Sequence, residues 1–86
     1  MNFHYVYVLE NKESGFIYVG QTEDLVLRHK KHNKGEVKST KPYIPLVLIY
    51  YEAYSSKKDA LKREKYLKTT KGKTTLKTML KNYFMN

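Results

Sequence analysis

Five side chains have types that can act together on a phosphodiester: Tyr7, Tyr18, Arg28, His32 and Glu64. Arg28 and His32 are four residues apart, so in a helix they stack on one face, which Leu25 shares. Arginine grips phosphate oxygens in a two-pronged fashion. A tyrosine beside a histidine can take a proton from water, and a carboxylate can hold Mg²⁺. Glu64 stands out by position. On the stretch from Lys57 to Thr69 the apolar residues are Ala60, Leu61 and Leu67. At about 100° per residue, Glu64 falls between them, in the stripe that faces the protein. A carboxylate there is costly unless it is paired or binds a cation.

Each residue also has a plainer reading. Glu64 can form an ion pair with a neighbouring lysine or arginine. Arg28 can snorkel, with His32 half-exposed. The chain has nine tyrosines, and Tyr50, Tyr51, Tyr54, Tyr66 and Tyr83 read as core and edge packing. Any exposed one can instead stack on bases. The functional reading rests on the co-occurrence of the five, with Tyr5 and Tyr7 on one strand face and Tyr18 close to Tyr7 across a hairpin.

The elements that must position them follow from local pattern. Tyr5 to Leu9 is β-branched and aromatic and predicts a strand. Asn11 to Gly15 predicts a hairpin connection, and Phe16 to Val19 a second strand closed by Gly20. Thr22, followed by Glu23 and Asp24, predicts a capped helix start; the helix runs to about Lys34, with Gly35 as its stop. Residues 36–45 read as a polar loop with two prolines. Leu46 to Tyr54 predicts the third strand. Ser55 and Ser56 cap a helix over Lys57 to about Thr69, Thr70 to Gly72 is a break, and Leu76, Met79, Leu80, Tyr83 and Phe84 mark an amphipathic last helix. The expected fold is α/β (α+β): a three-stranded antiparallel sheet flanked by helices, order ββαβαα, as a single domain over residues 1–86.

Composition narrows the partner. The 86 residues carry 17 Lys and Arg against 8 Asp and Glu, net +9. Residues 1–55 hold 7 basic and 6 acidic side chains, whereas residues 56–86 hold 10 and 2. The excess charge therefore sits in the last third, which points to a polyanion, nucleic acid first. The absence of cysteine excludes disulfides and thiolate zinc sites. The longest apolar stretch, Ile44 to Tyr51, is interrupted by Pro45 and too short to span a membrane. No signal-like segment precedes the first strand, so a cytoplasmic protein with no membrane partner and no small-molecule cofactor is expected.

Tyr5-Val6-Tyr7 and Tyr18-Val19-Gly20, with ten residues between Tyr7 and Tyr18, resemble the two eponymous motifs of the GIY-YIG nuclease superfamily. Gln21-Thr22, Asp24-Leu25, Arg28, then His32, Asn33 and Gly35, and later Ala60-Leu61-Lys62-Arg63-Glu64-Lys65, follow in the family's order. The chain is most similar to small stand-alone members, which look like the nuclease domain of the bacterial excinuclease. Tyr5 replaces the motif's glycine, and the segment Lys68 to Lys73 offers no match to the phosphate-contacting Asn or Lys that often follows the family's glutamate. The resemblance implies Tyr7 as general base assisted by His32. A free tyrosine titrates near pH ~10, and positive charge from Arg28 and a bound metal favours the phenolate, so the rate is expected to rise through the neutral-to-alkaline range. The resemblance also implies Tyr18 in support, Arg28 on the scissile phosphate, and Glu64 as the only protein ligand of one divalent metal, Mg²⁺ or Mn²⁺.

The implied activity is metal-dependent endonucleolytic cleavage, DNA ahead of RNA, in repair or recombination, with weak sequence preference or with targeting by a partner or a homodimer. Two alternatives stay open: a catalytically silent nucleic-acid-binding module of the same fold, and an adaptor whose basic last third binds an acidic protein or a membrane surface. The candidate phosphate contacts are Lys57, Lys58, Lys62, Lys65, Lys68, Lys71 and Lys73. They surround their helix, so about four can face one duplex, and log K should fall against log salt with a slope of about −3 to −4. Filter binding or anisotropy across salt concentrations measures that slope. A flat dependence contradicts phosphate-dominated binding.

Overall fold

The structure, a computed structural model, describes residues 2–85. Strands β1 (His4–Asn11) and β2 (Phe16–Thr22) form the hairpin, followed by helix α1 (Leu25–Asn33), a 3-10 turn over Lys41–Tyr43 and strand β3 (Val47–Tyr54). Helices α2 (Lys57–Leu67), α3 (Thr70–Met79) and the single-turn α4 (Lys81–Phe84) complete the chain. The sheet is three-stranded and antiparallel, as expected, and its strands lie in the order β2-β1-β3. No helix among the described residues is long and apolar enough to cross a membrane.

Alternation along β1 builds a core on each sheet face. Val6 and Val8, with Val19 of β2, pack under α2 and α3 against Ala60, Leu67 and Leu76. Burying a side chain such as Leu67 contributes about 1.5–3 kcal/mol. Tyr7 and Leu9 point the other way and pack with Leu46, Tyr18, Leu25 and Leu48. A buried β1 thus carries Tyr7 out of one core and towards α1.

α2 is tied to β3 by charge. Arg63 donates from Nε and Nη2 to the Glu52 carboxylate at 3.0 Å, and Tyr50 and Tyr54 each donate a hydroxyl to it at 2.6 Å. Tyr50 and Tyr54 therefore do more than pack. The clamp sits one residue before Glu64 and fixes how α2 crosses the sheet. Leu61, expected in the buried stripe, is 44% exposed, because α2 turns Ala60 and Leu67 to the sheet instead.

Several boundaries differ from the sequence reading. The cap of α1 is Asp24, whose carboxylate accepts from Leu27 N at 3.1 Å; Thr22 ends β2 and its hydroxyl accepts from Asp24 N. Ser56 occupies the cap position of α2 without a side-chain cap bond. α2 stops at Leu67, and Thr70 to Gly72, expected as a break, is the first turn of α3, capped by Thr69. The expected last helix is divided at Leu80 into α3 and α4. Gly72 is there for close approach: a Cβ would overlap the Tyr66 carbonyl oxygen and lie 2.5 Å from Leu67 Cα.

Gly20 also does not close its strand. It lies within β2, opposite Tyr7, and the Tyr7 ring folds over it. A Cβ at Gly20 would lie 2.5 Å from Tyr7 Cζ and 2.9 Å from Cε1. Gly20→Ala should therefore expel the ring and destabilise the fold by about 1–3 kcal/mol. Urea unfolding checks this, and an alanine variant as stable as the parent contradicts the packing.

Candidate active site

Tyr7 and His32 meet where β1 faces α1. The Tyr7 hydroxyl is 2.8 Å from His32 Nε2, and the residues are 2% and 0% exposed. His32 Nδ1 lies 2.8 Å from Thr40 Oγ1, and that hydroxyl donates onward to the Val37 carbonyl at 3.3 Å. A Thr40 hydroxyl donating to Val37 must accept from His32, so Nδ1 carries the proton and Nε2 presents a lone pair to Tyr7. Arg28 Nε donates to the Tyr7 oxygen at 3.3 Å. The phenol is thus a donor to histidine and an acceptor from arginine. His32, whose plain reading was half-exposed, is fully enclosed, and Thr40 is a site residue that no sequence motif announces.

Electrostatics set the protonation states. Burial first, then the charges of Arg28 and His29, push His32 from 6.5 down to about 4, so the imidazole is neutral at neutral pH. Burial pushes Tyr7 up to about 12, and the Arg28 hydrogen bond, acting downwards, is outweighed. Arg28 acts in the expected direction, towards the phenolate, but desolvation dominates and Tyr7 stays protonated. The hydrogen bond to Tyr7 in turn raises Arg28 above its already high value, keeping it charged.

Tyr18 closes the cluster, its ring 6.2 Å from that of Tyr7 and 5.0 Å from that of His32. Glu64 arrives from α2, near enough that its charge adds to the upward shift of Tyr7. Its side chain is 19% exposed and its Oε2 is 3.1 Å from Lys68 Nζ. The Lys68 ammonium also lies 5.8 Å from the Tyr18 ring centre. Tyr7, Tyr18, Arg28, His32 and Glu64 are therefore brought together, with Lys68 added. Lys57, Lys58, Lys62, Lys65, Lys71 and Lys73 are exposed along α2 and α3.

α1 is held in place by Asn33, which accepts from Leu46 N at 2.7 Å and donates to Leu46 O at 2.9 Å, while His29 Nε2 donates to the same carbonyl at 2.8 Å. Among the described residues no group of three or more His, Cys, Asp or Glu is placed to hold a metal ion. Glu64 alone fits a hard divalent cation of the kind that takes one carboxylate and fills its other positions with water and phosphate oxygens.

The family model for the GIY-YIG catalytic domain matches residues 3–78. UPF0213 proteins of Staphylococcus aureus strains Mu3 and Mu50 are each 41% identical over 70 residues, covering 80% of this chain and 84% of theirs. The solution NMR structure of UPF0213 protein BH0048 from Bacillus halodurans superposes with a TM-score of 0.56 at 38% identity, covering 92% of this chain and 85% of that one. With both motif tyrosines, the arginine, the histidine and the glutamate converging on one site, the chain belongs to the GIY-YIG nuclease family, close to its small UPF0213 members.

Proposed function

We propose that this chain is a metal-dependent endonuclease that hydrolyses nucleic-acid phosphodiesters, DNA ahead of RNA, leaving 5′-phosphate and 3′-hydroxyl ends. It acts in the cytoplasm, in repair or recombination, as a single domain that takes its specificity from a homodimer or a targeting partner. The observation that carries the reading is the Tyr7 hydroxyl suspended between a neutral His32 and a charged Arg28.

The chemistry follows from those contacts. Water attacks phosphorus in line, and the bond to the 3′ oxygen breaks. Tyr7 accepts the proton of the attacking water while passing its own to His32 Nε2. Thr40 holds the imidazole with Nε2 aimed at the phenol. Arg28 draws the phosphate in and offsets charge on its equatorial oxygens. The incoming phosphate also counters the positive field of Arg28 at His32, so the relay becomes competent with substrate in place. Glu64 would hold Mg²⁺ or Mn²⁺, which when bound supplies positive charge for the phosphate and the departing 3′ oxygen. Tyr18 buttresses the Tyr7 and His32 rings, and the exposed lysines of α2 and α3 track the backbone.

One observation favours the silent-module alternative: Glu64 is already engaged by Lys68. Incubation with plasmid, single-stranded and branched DNA and with RNA, in Mg²⁺, Mn²⁺ or EDTA, separates the two. Cleavage dependent on the metal is expected; binding without cleavage of any substrate sinks the enzyme reading. Tyr7→Phe should lose about 10²–10⁴-fold in rate with binding unchanged, and Glu64→Gln should abolish cleavage. With Tyr7 at about 12, its unaided ionisation lies beyond the range of an assay. His32→Ala should therefore stay impaired from neutral pH up to about pH 9. Full recovery of His32→Ala in that range, or wild-type rates for Tyr7→Phe, contradicts the relay.

A further inference from the structure

Glu64 and Lys68 are one helical turn apart at the end of α2, where Lys68 is the cap residue. Their ion pair is partly enclosed, with side-chain exposures of 19% for Glu64 and 50% for Lys68. Among the described residues Lys68 is the only lysine in an ion pair, although α2 and α3 are crowded with lysines. Its ammonium, though half exposed, lies 5.8 Å from the centre of the Tyr18 ring, on the side of the tyrosine–histidine cluster. The carboxylate that suits a divalent cation is therefore already serving a tethered monovalent one.

We propose that Lys68 is a positioning residue that holds Glu64 in its inward orientation, competes with the divalent ion for it, and turns to a substrate phosphate when displaced. This rests on Glu64 being the metal ligand. An ammonium at 3.1 Å pairs the carboxylate and holds it beside the cluster in the absence of metal, where an unpaired charge would be costly. A divalent ion binding there must push the ammonium off Oε2. The displaced Lys68 is still beside Tyr18, within the site that receives the scissile phosphate. A phosphate that engages Lys68 frees Glu64 for the metal, and a metal on Glu64 frees Lys68 for phosphate. By linkage, the two ligands strengthen each other's binding to the same degree. Lys68 thus differs from the other basic residues of α2 and α3: it acts on the cation seat as well as on the backbone of the substrate.

The test is Mn²⁺ binding to the intact, nucleic-acid-free protein, read from the paramagnetic resonance signal of free Mn²⁺. Lys68→Gln removes the competing charge at a half-exposed position and should bind Mn²⁺ about threefold to tenfold more tightly than wild type. Lys68→Arg keeps the charge and should bind no more tightly than wild type. Glu64→Gln should lose the site. Equal or weaker binding by Lys68→Gln, with the site lost in Glu64→Gln, overturns the role of Lys68 and leaves Glu64 as the metal ligand. Undiminished binding by Glu64→Gln overturns the assignment of Glu64 itself. Absence of binding to all four proteins overturns both.

Discussion

The hydrogen bond between Tyr7 and His32 is the contact on which the rest of the site depends. It joins the central strand of the sheet to α1, with His32 enclosed and only an edge of Tyr7 exposed. Two conditions make it possible. Gly20 leaves room for the phenol on the neighbouring strand, and Thr40 takes the Nδ1 proton so that Nε2 is left as an acceptor. Burial then sets the chemistry of the pair, because desolvation keeps the imidazole neutral and the phenol protonated. A proton can pass along such a pair without either group resting in a charged state. Arg28 adds a fixed positive charge at the Tyr7 oxygen.

The acidic half of the site is assembled from the opposite side of the sheet. Glu52, Tyr50 and Tyr54 on β3 grip Arg63, and Arg63 fixes the turn of α2 from which Glu64 projects. Gly72 lets α3 close against the end of α2, and this packing holds the helix down over Val6 and Val8. The same helix that delivers Glu64 carries Lys68 one turn later, so the carboxylate is supplied together with its counter-ion. Anchoring of this kind suits a one-carboxylate cation seat, where orientation of the single ligand must come from the protein.

Much of this was legible in the sequence. Tyr7, Tyr18, Arg28 and His32 follow from strand alternation, the four-residue helical spacing and the family's motif order, and Glu64 follows independently from its place in the stripe of α2. The antiparallel three-stranded sheet follows from a short hairpin and one long β-rich segment, whereas the central place of β1 is seen only in the fold. What was not legible depends on tertiary approach. Gly72 reads as a helix breaker until the backbone it must clear is known. Thr40 is one of several hydroxyl residues in a loop, and only the return of that loop over α1 brings it to His32. Asn33 reads as a helix-end residue, yet its amide clamps the backbone of Leu46. The upward shift of Tyr7 was not legible, because spacing places Arg28 nearby but says nothing about desolvation, which is the larger effect.

The most direct measurement of this arrangement is the ¹⁵N magnetic resonance spectrum of the histidine rings, followed as a function of pH. His32 should show the neutral form protonated at Nδ1, with an unprotonated Nε2 accepting from Tyr7, and should hold that form as the pH falls from 7 towards its value of about 4. Tyr7→Phe should shift the Nε2 resonance and leave the Nδ1 proton bonded to Thr40. A His32 ring that titrates near 6.5, or one protonated at Nε2 in the native protein, contradicts the relay at its centre.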